Sequence, residues 1–138
     1  MTFSIAGRCA KTGMFGVAIT TSSISVGSRC PHVRAGVGAV ATQNITDPHL
    51  ATLVLDAMEA GSDAFNAIAT VTKGREFIDY RQLTAVDARG NTAHFTGKNI
   101  LGTNAISEDT DCVAAGNLLS SQAVAKGISD GFTANPDA

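Results

Sequence analysis

Hydrophobic and polar positions alternate at the start of the chain, and that alternation predicts strands. Phe3 and Ile5 set the rhythm across residues 3–8, and Phe15, Val17 and Ile19 repeat it across 14–21. Lys11-Thr12-Gly13 reads as the turn of a hairpin joining them. Residues 22–35 lose the alternation, are rich in Ser and read as a loop. Residues 36–43, GVGAVATQ, read as a third strand, with Gly36 and Gly38 allowing another backbone close by.

The period then changes from two to 3.6. Asp47 is a good N-cap and Pro48 suits the first helical position. Leu50, Leu53, Val54, Ala57 and Met58 form the stripe of an amphipathic helix that stops at Gly61. Ser62 is expected to cap a second helix, with Phe65, Ile68 and Ala69 inward and Gly74 at its end. Strand patterning returns over 82–87 and 91–97, a second hairpin around Ala88-Arg89-Gly90. Residues 98–111 are polar and read as irregular, and 112–119 read as a strand ending in a turn. Ser121 opens a last helix with Val124, Ile128 and Phe132 on one side. Strands, a helix pair, then strands again predict an α+β domain with helices layered on antiparallel sheet.

Composition bounds the picture. A chain of 138 residues fits one domain with a real core, and 44% hydrophobic with 16% charged residues excludes disorder. A net charge of −2 without a basic cluster argues against nucleic acid as a partner. No apolar run reaches the ~20 residues of a membrane span, and no signal peptide is visible at the N-terminus. Cys9, Cys30 and Cys112 are odd in number and widely spaced, which suits free thiols in a reducing compartment, so a cytoplasmic location is expected. His32, His49 and His94 lack metal-site spacing, and Gly13-Met14-Phe15-Gly16 opens no helix. No metal and no cofactor are expected.

Several residues carry candidate chemistry. Thr2 follows the initiator methionine. Once Met1 is removed, its α-amine, with a pKa near ~8, can serve as base for its own hydroxyl. Set against this, Thr2 is equally the start of a strand. Arg34 has the fork geometry to hold a carboxylate or carbonyl oxygen, and His32 can relay protons; a surface loop with one ion pair explains both as well. Thr42-Gln43-Asn44 either line a cleft or satisfy backbone groups at a strand end. Arg81-Gln82 either projects a second cation or faces solvent.

An ordered series of blocks resembles a known family. Thr2-Phe3-Ser4-Ile5-Ala6, Thr12-Gly13, Gly16-Val17-Ala18 and Val26-Gly27 lead into Arg34 to Gln43, read as RAGVGAVATQ. Arg81-Gln82-Leu83, Val86 to Gly90, Thr96-Gly97 and Gly116-Asn117-Leu118-Leu119 follow. Together they are similar to the bacterial family catalogued as domain of unknown function 1028, itself similar to the N-terminal-nucleophile (Ntn) hydrolases. The resemblance implies an αββα sandwich of two antiparallel sheets with outer helices. It implies Thr2 as nucleophile, tuned by Arg34, with backbone N–H groups near Thr42-Gln43 or Gly116-Asn117 holding the oxyanion. His32, Thr42, Gln43, Arg81 and Asn117 are then the expected substrate-binding residues. Family members continue past the last helix, which implies a domain incomplete at its C-terminus and completed by a homo-oligomer or partner segment. The function implied is hydrolysis of a small amide or related C–N bond. A non-catalytic ligand-binding or assembly protein, or a lactonase or cyclase, fits the same sandwich.

Overall fold

The computed structural model describes residues 1–135. It contains two antiparallel four-stranded sheets and three α-helices. Sheet I has the order β2-β1-β8-β7, from β1 (Thr2–Arg8), β2 (Phe15–Thr21), β7 (Ala105–Asp109) and β8 (Cys112–Asn117). Sheet II has the order β3-β4-β5-β6, from β3 (Pro31–Arg34), β4 (Gly38–Asn44), β5 (Arg81–Asp87) and β6 (Thr92–Thr96). The chain completes all four strands of sheet II before returning to sheet I, so β1 pairs with β8 across more than a hundred residues.

The two sheets face each other, with β1 over β4 and β5. Helices α1 (Pro48–Glu59) and α2 (Ala64–Thr72) pack on the outer face of sheet II, and α3 (Ala123–Thr133) packs on the outer face of sheet I. The larger core lies under α1 and α2, where Leu50, Val54, Leu55 and Ile68 meet Val40, Leu83 and Ala85. Alternation explains the split of β4. Val40 and Thr42 face the helices, whereas Ala39, Ala41 and Gln43 face the other sheet. Under α3, the Phe132 ring lies against Gly7, where an added Cβ would come within 2.7 Å of it.

Two strands escaped the sequence pattern. β3 falls inside the expected loop 22–35, and β7 inside the expected irregular stretch 98–111. Both are short edge strands paired on one side, so neither carries the apolar run that marks a central strand. The third strand starts at Gly38 instead of residue 36, because Gly36 takes a left-handed φ of 74° in the preceding turn. Asp63, not Ser62, caps α2; its carboxylate accepts the Asn66 N–H at 2.7 Å. Asp47 caps α1 as expected, accepting from His49 N at 3.1 Å. Any continuation past Asn135 lies outside the described residues.

Candidate functional site

The space between the sheets changes character along the strands. At one end it is apolar, with Ala6 and Val113 of sheet I over Ala39 and Val86 of sheet II. At the other end the same faces carry polar side chains, because Thr2 and Ser4 keep parity with Ala6, Asn117 with Val113, Gln43 with Ala39, and Gln82 with Val86.

These polar groups form one buried network across the two sheets. Ser4 Oγ donates to Gln43 Oε1 at 2.8 Å, and Gln43 Nε2 donates to Gln82 Oε1 at 2.8 Å. Asn117 Nδ2 also donates to Gln82 Oε1, at 3.3 Å, and Gln82 Nε2 donates to the Gly116 carbonyl at 3.2 Å. Each of the four is at most 2% exposed. The pairing determines which end of each carboxamide is oxygen. Thr2 stands at the outer edge of this network, between its cross-strand partners Thr21 and Asn117. Its Oγ1 lies 2.8 Å from Thr21 Oγ1. One row inward, Thr84 Oγ1 is buried without a partner.

Backbone strain gathers at the same end. Asn44, directly after Gln43, has φ 75°, and Leu118, directly after Asn117, has φ 52°. Asn tolerates this region; for Leu it costs roughly 1–2 kcal/mol. The connection between β6 and β7 bridges the two residues. Leu101 N donates to Asn44 Oδ1 at 3.3 Å, and Leu118 N donates to the Leu101 carbonyl at 3.0 Å. One loop thus laces sheet II to sheet I over the end of the network. Strain of this kind marks places where the surrounding structure holds a special geometry.

The structure brings Thr2, Gln43 and Asn117 together and places the other expected site residues elsewhere. Arg34 pairs with Gly38 at the start of β4, five residues and roughly 15 Å from Gln43. Its guanidinium faces α1, donating to Asp56 at 2.8 Å and Glu59 at 2.7 Å. His32 shares that face of β3, with Nδ1 3.3 Å from the Cys30 carbonyl. Thr42 points at the helices, where its hydroxyl donates to the Asp47 carbonyl at 3.4 Å. Arg81 sits one residue before Gln82 and so on the opposite face of β5, where it donates to the Ile45 carbonyl. For Thr42 and Arg81 a shift of one residue along the strand reverses the side chain. Ser4, Thr21 and Gln82 are the members that site reasoning left out. Their signal is the alternation itself, counted from Thr2 and from Gln43.

Burial works to raise the Asp87 pKa, but hydrogen bonds from the Asn91 side chain and the N–H groups of Arg89, Ala64 and Asn91 outweigh it and hold the carboxylate below its usual range. Asp87 thereby joins the start of α2 to the β5–β6 turn. Cys112 is pushed up to about 11 by burial, then by the charges of Asp109 and Asp111, and burial likewise raises Cys30. Neither Cys30 nor Cys112 forms a disulfide. Among the described residues no cluster of His, Cys, Asp and Glu is arranged to hold a metal ion, and no helix is long and apolar enough to cross a membrane.

The fold and the blocks that build its site define a known class: the chain belongs to a family of unknown function, DUF1028, whose model matches residues 2–137. Its structure is similar to the crystal structure of protein SPO2555 from Silicibacter pomeroyi, of the same family. The TM-score is 0.93 at 30% sequence identity, over 96% of this chain and 62% of that one. The chain therefore spans about 62% of the length of that protein. A comparison with curated proteins finds no match.

Proposed function

We propose that the chain is an Ntn-type hydrolase of a small amide or related C–N bond, with Thr2 as nucleophile. The observation that carries this reading is the position of Thr2. It begins a central strand, faces the space between two sheets, and stands beside Asn117 at the edge of a buried carboxamide network. Met1 is half exposed; its amine donates to Ser22 Oγ at 3.3 Å and its carbonyl accepts from Ser22 N at 3.2 Å, so its removal costs two contacts to one residue at the edge of the sheet. Thr2 Oγ then attacks the substrate carbonyl while the freed Thr2 amine takes the hydroxyl proton. The oxyanion that forms accepts hydrogen bonds from neutral donors beside Thr2, among them the second N–H of Asn117. The amine returns the proton to the leaving nitrogen as the C–N bond breaks. Water then hydrolyses the ester by the reverse sequence. Arg34, held by Asp56 and Glu59, takes no part in this scheme, and the carboxamides supply the polarity instead.

A ligand-binding protein with the same sandwich is the second reading, favoured by the closure of the network and by the Thr2–Thr21 contact. A lactonase or cyclase would use the same residues on an ester. A homo-oligomer belongs to either reading, since the outer face of β1 and β2 beside α3 leaves apolar cavities of about 200 Å³ and 270 Å³ at Phe3, Ile5, Ala18 and Ile128. The deciding experiment combines intact-mass measurement with an amide and ester screen. Loss of Met1, turnover by wild type, at least a thousand-fold loss in Thr2→Ala and partial rescue in Thr2→Ser are expected. Retained Met1, or full turnover by Thr2→Ala, defeats the mechanism.

A further inference from the structure

The hydroxyl of Thr2 has a neighbour that the proposed scheme does not use. On β2 the residues facing the other sheet are Val17, Ile19 and Thr21, across from Ala6, Ser4 and Thr2. Two apolar side chains are followed by a hydroxyl at a place where the strand would accept a third aliphatic. Thr21 Oγ1 lies 2.8 Å from Thr2 Oγ1, the reacting atom of the scheme. It also accepts the Ser23 backbone N–H at 3.1 Å, in the bend that follows β2.

A hydroxyl has one proton to give and two lone pairs to receive. While Met1 is attached, the Thr2 nitrogen is an amide and accepts nothing, so either threonine can be the donor. With Met1 removed, the neutral amine is the better acceptor and draws the Thr2 proton to itself. The Thr21 proton then goes to Thr2 Oγ1. The Ser23 N–H, the Thr21 O–H, the Thr2 O–H and the Thr2 amine form a chain in which each bond polarises the next. As Oγ1 attacks, its proton passes to the amine and the bond to the carbonyl carbon forms, while Thr21 keeps its own proton. Partial negative charge on Oγ1 during that transfer strengthens the bond from Thr21, because hydrogen bonds to charged acceptors are the stronger ones.

We infer that Thr21 is a catalytic residue of the Thr2 reaction, donating to Oγ1 so that the nucleophile's proton is directed to the amine. This rests on the hydrolase reading and gives a part to a residue outside it. The probe is p-nitrophenyl acetate, an active ester open to the same attack. Nitrophenolate release is followed over many turnovers, with the Thr2→Ala rate subtracted. Thr21→Val keeps the shape of the side chain and removes the hydroxyl; Thr21→Ala makes the same comparison if the valine protein folds poorly. In Thr21→Val, kcat is expected to fall about ten-fold or more with KM within two-fold. Thr21→Ser is expected to recover at least a third of the wild-type rate. The pH midpoint set by the amine, near about 8, should stay in place in all three. A Thr21→Val rate within two-fold of wild type overturns the inference. So does a loss that Thr21→Ser fails to recover, a loss confined to KM, or a midpoint moved by more than one unit. Thr2-dependent release that survives in Thr21→Val defeats this inference alone. Release by wild type no faster than by Thr2→Ala defeats the hydrolase reading and this inference with it.

Discussion

Removing the Gln82 side chain should cost far more than its polarity suggests. Gln82 is 0% exposed, and its carboxamide joins both sheets. In Gln82→Ala the Nε2 of Gln43 and the Nδ2 of Asn117 lose their shared acceptor, and the Gly116 carbonyl loses a donor. A buried polar group left unpaired costs about 1–3 kcal/mol, so three of them set the scale at about 3–5 kcal/mol once partial relaxation is allowed. With a urea m-value of about 1.5–2 kcal/mol/M, the unfolding midpoint falls by about 2 M. Urea titration by circular dichroism reads this directly. The Gln43→Ala variant and the double variant complete a cycle, and coupling of at least about 1 kcal/mol is expected because the two side chains share one bond. A loss under about 1 kcal/mol at unchanged m, or strict additivity, would refute the picture of a cooperative network.

Two further outcomes follow from the structure. Asp87→Asn should destabilise by about 2–3 kcal/mol at pH 7, since the carboxylate accepts bonds from Ala64, Arg89 and Asn91. Its native pKa is lowered, so this contribution is complete above the unfolded carboxylate value of about 3.9 and drains away as the pH falls below it; melting curves should show the gap between wild type and variant constant from pH 7 to about 5 and closing under pH 4. Gly97→Ala should cost at least about 2 kcal/mol, because its Cβ would meet the Asp79 carbonyl, which is backbone and gives way poorly; a thermal melt within one degree of wild type would contradict that contact.

Much of the fold was legible in local pattern. The first hairpin, α1 with its Asp47 cap and Pro48, the β5–β6 hairpin and α3 all carry periodicity or turn residues that act within a few positions. β3 and β7 were not legible. Each pairs on one side only, with the strand that follows it through a short turn, and neither needs an apolar face; in Pro31–Arg34 the apolar Val33 is the exposed residue. The site divides the same way. Thr2, Gln43 and Asn117 were visible as polar ends of strands, but nothing local says which face each one takes.

The sequence by itself determined where the helices and all strands but β3 and β7 form, that a buried core exists, and that a threonine leads the first strand. Only the tertiary structure decided which polar residues meet. Side-chain direction along a strand alternates, so register against a partner strand settles whether Gln82 or Arg81, Gln43 or Thr42, enters the space between the sheets. Register is a property of pairings that can lie more than a hundred residues apart, and so is the gathering of Ser4, Gln43, Gln82 and Asn117 around the start of β1.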